Sequence, residues 1–232
     1  MQTRRRAAFF DVDETVISAK SMFDFLRYWM ERNGARGEDG AEYERTAGRL
    51  RDLAHNGGLP RTEVNRAYYR LYAGVPLAEL MEAGRAWYAR YRERPDAFVP
   101  ASLAALAAHR RSGDTVVLVS GSFPGCLEPI AADLGADLVL CTEPLAGDDG
   151  ILTGEVRRPM IGEAKADAVQ QTIADLGLDP ADCSAYGDHA TDLDMLGRVG
   201  HPSVVGEDPV LLAHARENGW PVLSAAQAGS PV

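Results

Sequence analysis

The sequence predicts an α/β protein: a Rossmann-like, doubly wound parallel sheet with an all-helical cap inserted after its first strand. Three observations carry that reading. A short apolar run, residues 7–10, ends in the acidic pair Asp11 and Asp13. Residues 18–95 then keep a helical period and hold no strand-like run. Beyond Pro100, β-branched runs alternate with helical patterns, the rhythm of a mostly parallel sheet covered on both faces. The predicted division is a catalytic core of residues 1–17 and 96–232 and a helical cap of residues 18–95.

Taken in order, the run 7–10 is a buried strand with polar chemistry at its carboxyl end. From Ser21, Met22, Phe25, Leu26 and Trp29 recur at helical spacing, and Asn33-Gly34 stops that helix. A polar loop occupies 37–40. A second helix runs through Tyr43, Ala47, Leu50 and Leu53 and ends at Asn56-Gly57-Gly58. Pro60 and Thr62 open a third, with Val64, Ala67, Tyr68, Leu71 and Tyr72 on one face. Pro76 takes the first turn of a fourth, which carries Leu80, Trp87 and Tyr91. Pro95 and Pro100 mark the return to the core. There follow a helix over 102–111, a strand over 115–119, a helix over 124–134 and a strand over 137–140. Asp148-Asp149-Gly150 turns a hairpin within 145–156. A helix over 163–176, a strand over 183–186, a short helix over 191–198, a strand over 203–205, a helix over 209–218 and a strand over 221–223 complete the pattern. The tail from Ala225 is expected to fray.

Bulk properties narrow the function classes. With 232 residues, 46% of them hydrophobic and 25% charged, the chain can build a sizeable core. A formal net charge of -10 argues against a nucleic-acid partner, which needs clustered Lys and Arg. The one early basic block, Arg4-Arg5-Arg6, reads as a solvated lead-in to the first strand. No signal-peptide core follows it, and no run reaches the ~18 apolar residues of a spanning helix, so a cytoplasmic protein without membrane insertion is expected. Cys126, Cys141 and Cys183 are odd in number and lack a C-x-x-C pair, as reduced buried thiols would be. Oligomeric state has no signature in the sequence.

In parallel sheets, ligands bind at the carboxyl ends of the strands. Those ends bring Asp11 and Asp13, then Ser120-Gly121-Ser122, then Gly187-Asp188 with Asp192 one turn on, while Lys165 starts an intervening helix. Residues two apart on an extended chain point the same way, so Asp11 and Asp13 are both expected to face the site. Asp11, Asp13 and Asp188 together repel one another unless a cation or proton intervenes, and oxygen ligands favour Mg2+. A carboxylate can attack phosphorus and form an aspartyl-phosphate, with Asp11 as nucleophile. Asp13 can give a proton to the leaving oxygen and later take one from water. Ser120, the amides of Gly121 and Ser122 and the helix start at Pro124 supply donors to an anionic substrate. Lys165 supplies fixed charge. Each motif alone is common. All four in order, each at the end of its element, point to an Mg2+-dependent phosphatase of a small phosphomonoester.

These residues resemble the haloacid dehalogenase superfamily, and within it the phosphoserine phosphatase-like branch, over nearly the whole chain. Phe10-Asp11-Val12-Asp13-Glu14-Thr15-Val16 is similar to its first motif, Val119-Ser120-Gly121-Ser122 to its second, Lys165 to its third, and Gly187-Asp188-His189-Ala190-Thr191-Asp192 to its fourth. The resemblance implies Asp11 as nucleophile, Asp13 as acid and base, and Ser120 and Lys165 as phosphate-binding. It implies metal ligands in Asp188 and the Asp13 backbone carbonyl, and a supporting acid in Asp192 that orients the lysine. Lys20 departs from the pattern, standing where phosphoserine phosphatases carry a glutamate for the substrate amine. It would attract a carboxylate or second phosphate, or else point to solvent. Thr191 replaces the usual Asn, and His189 either packs or touches substrate. Arg66, Tyr69, Arg70 and Tyr72 are candidate specificity residues on the cap. Two other functions use similar residues: a phosphotransferase with the same intermediate, and a phospho-accepting receiver domain, which lacks the helical insertion.

Overall fold

The computed structural model describes residues 5–33, 41–55 and 58–225. Arg4, Gly34, the loop 37–40, Asn56-Gly57 and the tail 226–232 lie outside the described residues. Five strands and a hairpin build the core: β1 (Ala7–Asp11), β2 (Thr115–Ser120), β3 (Leu138–Cys141), the hairpin β4 (Pro144–Ala146) and β5 (Leu152–Val156), then β6 (Ser184–Gly187) and β7 (His201–Val205). A last short strand, β8 (Val222–Leu223), completes a six-stranded parallel sheet in the order β3-β2-β1-β6-β7-β8. β1 lies in the middle, Asp11 opposite Val119 on β2 and Phe10 opposite Tyr186 on β6. That register sets Asp11, Ser120 and Gly187 side by side at one edge.

β1 reads as an uninterrupted apolar run because both faces are covered. Ala8 and Phe10 point to the face that the inserted helices share, with Val116 and Leu118 of β2. Ala7 and Phe9 point to the other face, with Val117, Val119, Val169 and Ile173. Helices α5 (Pro100–Ser112), α6 (Pro124–Leu134), α7 (Glu163–Asp175), α8 (Leu193–Leu196) and α9 (Pro209–Asn218) cover the sheet, numbered after the four that precede them in the chain. Those four are α1 (Ser21–Arg32), α2 (Ala41–His55), α3 (Arg61–Arg70) and α4 (Leu77–Tyr91). They pack around Phe25, Tyr68, Tyr72, Leu80 and Trp87, all buried. Burying each large side chain of this kind contributes roughly 1.5–3 kcal/mol.

Backbone contacts at three places join the inserted helices to the core. The two connecting strands pair, Ser18 N–H donating to Ala97 O at 3.0 Å and Val99 N–H to Val16 O at 3.0 Å. The turn after α3 is stitched to the hairpin: Gly74 N–H donates to Leu152 O and Leu152 N–H to Val75 O, both at 2.8 Å. Finally, α4 and α6 touch backbone to backbone, since a Cβ on Gly84 would lie 2.4 Å from the Gly125 carbonyl.

Some boundaries differ from expectation. Pro76 caps α4 rather than entering its first turn, and α3 stops at Arg70, leaving Leu71 and Tyr72 in the following turn. The short helix expected over 191–198 begins as a 3-10 turn, Ala190–Asp192. β7 starts at His201, two residues early, because Pro202 sits within it opposite Ala185 despite lacking a ladder donor. Among the described residues no helix is long and apolar enough to cross a membrane.

Candidate active site

The carboxyl ends of β1, β2 and β6 open into a cleft beneath the inserted helices. It has two adjoining parts, a floor of about 100 Å3 at the sheet edge and a cavity of about 450 Å3 under the helices. Lys20, Met22, Phe23, Arg61, Ile161 and His189 line both.

Lys165 organises the floor. It is the third residue of α7, which brings its buried side chain to the end of β1. Its Nζ donates to Asp11 Oδ1 at 2.5 Å and to Asp192 Oδ1 at 2.7 Å. An ammonium has three N–H groups, so one is left for a ligand. Burial alone would lower the Lys165 pKa, but Asp11 and Asp192 outweigh it and the net shift is upward. Asp192 also accepts from the His189 amide through Oδ2 at 3.2 Å. Gly187 makes that approach possible, since a Cβ there would fall 2.7 Å from Asp192 Cβ.

Asp188, just beyond β6, accepts from the buried Thr15 hydroxyl at 2.9 Å. The same hydroxyl lies 3.5 Å from Asp11 Oδ2. It has one hydrogen, and the shorter bond takes it. The sequence marks Thr15 only by its place in the first motif, as a hydroxyl residue four positions past Asp11. Asp11, Asp188 and Asp192 each offer an oxygen within 4.8 Å of the others. Burial first, then Asp11 and Asp192, push Asp188 up to about 9. Burial likewise raises Asp11, with Lys165 offsetting part of it. The floor is thus an all-oxygen donor set with more negative charge than Lys165 balances, which suits a hard divalent cation.

Asp13 lines the floor, but its side chain stands outside that carboxylate cluster. Asp11 and Asp13 both line the floor, as expected, although β1 ends at Asp11 and a turn follows, with Glu14 at φ 59°. Asp13 Oδ1 is buried without a hydrogen-bond partner. Burial, then Asp11, raise this carboxyl to about 7, with Ser21 offsetting part of the rise.

In the second motif, Ser120 and Gly121 line the floor and Ser122 does not. The Ser122 amide, expected to face a ligand, donates to Ser120 Oγ at 3.1 Å, because the turn closes on itself there. The Gly121 carbonyl accepts from Asn65 Nδ2 at 2.9 Å and Tyr69 Oη at 3.2 Å. Lys20 lines both parts of the cleft and pairs with Glu14 at 3.2 Å, so it is neither free nor turned wholly to solvent. His189 lines the cleft, and its ring accepts from Thr191 N–H at 3.1 Å.

Of the four cap residues expected over the site, Tyr69 alone touches its loop. Arg66 pairs with Glu63, Arg70 with Glu155, and Tyr72 Oη donates to Tyr68 Oη. The face of α3 that lines the cavity is Arg61, Val64, Asn65 and Tyr68. Asn65 and Arg61 were missed, since helical phase against the core, not residue type, selects that face.

A family model of haloacid dehalogenase-like hydrolases matches residues 8–197. The chain belongs to that family. This hydrolase is 35% identical over 221 residues to the inhibition of morphological differentiation protein of Streptomyces azureus, covering 94% of this chain and 78% of that one. It is 33% identical over 239 residues to a probable phosphatase of Mycobacterium tuberculosis, covering 95% and 75% of the two chains. Among solved structures, a protein of unknown function from Bordetella pertussis superposes with a TM-score of 0.81 at 28% identity, over 97% of this chain and 100% of that one. A substrate-bound phosphoserine phosphatase superposes at 0.69 and 19% identity, over 96% and 94%, and shows the shared fold. The expected superfamily therefore holds, and the fold is one shared with phosphoserine phosphatase.

Proposed function

We propose that this phosphatase-type hydrolase cleaves a small phosphomonoester in two steps, through an aspartyl-phosphate on Asp11 and with Mg2+ bound. The observation that carries the reading is Lys165 bridging Asp11 and Asp192 on the cleft floor. It holds the Asp11 carboxylate in place and keeps one N–H for a phosphate oxygen.

In the first step an Asp11 oxygen attacks phosphorus and the ester P–O bond breaks, while Asp13 gives its proton to the departing alcohol oxygen. A carboxyl poised near 7 suits both halves of that exchange. In the second step water attacks phosphorus, its proton passes to Asp13, and the P–O bond to Asp11 breaks to free phosphate. Ser120, the Gly121 amide and Lys165 receive the phosphoryl oxygens. Asp11, Asp188 and Asp192 would hold the metal with the Asp13 carbonyl. When bound, a magnesium ion supplies positive charge to these carboxylates and to the phosphoryl group. In this reading residues 18–95 act as a cap that selects the leaving group, and residues 1–17 and 96–232 do the chemistry. The free cysteines Cys126, Cys141 and Cys183 and a small phosphorylated substrate suit a cytoplasmic enzyme.

Phosphate release from an aryl phosphate with Mg2+ tests this. Asp11→Asn is expected to abolish it and to melt no lower than wild type, since the change removes one of three crowded carboxylates. Release near the wild-type rate from Asp11→Asn would overturn the assignment. EDTA is expected to stop turnover and added Mg2+ to restore it; full activity in EDTA would exclude the metal role.

A further inference from the structure

The cavity under the cap carries chemistry that phosphate cleavage does not use. Its volume, about 450 Å3, is that of a small-molecule site. Its wall is apolar at Met22, Phe23, Leu50, Val64 and Tyr68, and no described Asp or Glu lines it. Three cations reach it. Lys20 pairs with Glu14, and Arg51 pairs with Glu44 and lies over the Phe23 ring. Arg61 forms no ion pair or hydrogen bond with any described residue, yet lines both the floor and the cavity.

Arg61 is also in an unfavourable place for its own charge. It is the first residue of α3, at the positive end of the helix dipole. The acid of that first turn, Glu63, pairs with Arg66 instead. Arg61 is exposed and has no anion paired with it among the described residues. A second group is also incomplete. Asn65 is 2% exposed, and its Nδ2 must face the Gly121 carbonyl, which can only accept. Its Oδ1 is therefore the atom left over, buried and without a partner. An unsatisfied buried acceptor calls for a donor.

We propose that the substrate's leaving group is an alcohol with an apolar body and a negative charge of its own. The body lies against Phe23, Val64 and Tyr68, and the charge, a carboxylate or second phosphate, meets Arg61. An ammonium on the leaving group finds no carboxylate among the described residues of the cavity, so amino-alcohol phosphates are disfavoured. This rests on the phosphatase reading for its orientation, with phosphate on the floor.

The test compares four aryl phosphates on one ring: phenyl phosphate, 4-carboxyphenyl phosphate, 1,4-phenylene bisphosphate and 4-(aminomethyl)phenyl phosphate. Wild type is expected to favour one or both anionic compounds over the amine by about tenfold or more in kcat/KM. The two anionic arms separate carboxylate from phosphate. Arg61→Gln is expected to collapse that ratio and Arg61→Lys to retain most of it. An amine preference, or a ratio unmoved by Arg61→Gln, overturns the proposal. Calorimetric binding of the same compounds to Asp11→Asn, with and without Arg61→Gln, reads the cavity without turnover. If no compound is hydrolysed but the anionic ones bind best through Arg61, the hydrolytic reading fails and the anion site stands. If hydrolysis depends on Asp11 and Arg61 is indifferent, the reverse holds.

Discussion

The floor of the cleft holds Asp11 and Asp192 buried, both accepting from Lys165, whereas the wall under the inserted helices presents Met22, Phe23, Val64 and Tyr68 with one arginine, Arg61, unpaired among the described residues. The floor is fixed from several sides at once: Lys165 from α7, Asp192 after β6, Thr15 from the turn after β1. Each group's position depends on the others, so the floor can do one kind of chemistry. Helix α3 makes two hydrogen bonds to the floor, from Asn65 and Tyr69 to the single carbonyl of Gly121. Leu50, Val64 and Tyr68 line the wall without lining the floor. Changes in the floor should lower turnover of every substrate, and changes in the wall should alter the ratio between substrates.

The largest effect that can break this division is at Asp13. Asp13→Asn keeps the shape and removes the transferable proton. Turnover of an alkyl phosphate is expected to fall by about 10²–10⁴. The fall should be smaller for a nitrophenyl ester, whose leaving group needs no proton. Equal losses for the two esters would mean that Asp13 supports the site without moving a proton.

Lys165→Met comes next. Turnover is expected to drop by about 10²–10³ on removing a charge aimed at the transition state. The buried carboxylates of Asp11 and Asp192 are also left without their cation, so a stability loss of about 3–5 kcal/mol is expected in EDTA. Denaturant melts with EDTA and with Mg2+ check this, and Mg2+ should recover part of the loss. A variant as stable as wild type in EDTA would show that the floor does not depend on this pair.

The floor was legible in the sequence because strand ends are legible. An apolar run that stops at Asp11, a β-branched run that stops at Ser120 and a short run that stops at Gly187 can only be neighbours at one sheet edge. The wall was not, because a helix face is selected by its phase against the core, and one residue turns it by about 100°. Arg66 and Arg70 are as basic as Arg61 and equally suited to a ligand by type. They face the hairpin, where Arg70 meets Glu155 and Arg66 reaches the Val156 carbonyl. The Ser122 amide was misplaced for a related reason: whether an amide faces a ligand or its own turn depends on φ and ψ that the residue names do not fix.

Gly84→Ala tests whether the cap is docked as rigidly as the floor beneath it. On helix propensity alone, Ala should stabilise α4 by about 1 kcal/mol. Here a Cβ would fall 2.4 Å from the Gly125 backbone, which has no side chain to move aside. The clash is therefore expected to outweigh propensity, with a net loss of about 1–3 kcal/mol in a denaturant melt. A stabilised variant would show that α4 and α6 stand farther apart and that the cap is loosely held.

The smallest expected effect is the sharpest test of the boundary. Tyr69 lies on α3 next to the wall, outside its lining, and donates to Gly121, a floor residue, at 3.2 Å. Its ring packs edge-on against Phe123, centroids 6.3 Å apart at 87°. Tyr69→Phe keeps that packing and removes only the O–H. The Gly121 carbonyl retains Asn65 as a partner at 2.9 Å, so it is not orphaned. The loss should then be about 0.5–1.5 kcal/mol of stability, with turnover of every ester staying within a few-fold of wild type. A hundredfold drop in turnover, equal across leaving groups, would mean that the hydroxyl sets the position of the phosphate loop itself. In that case the boundary between wall and floor runs through α3 rather than beneath it.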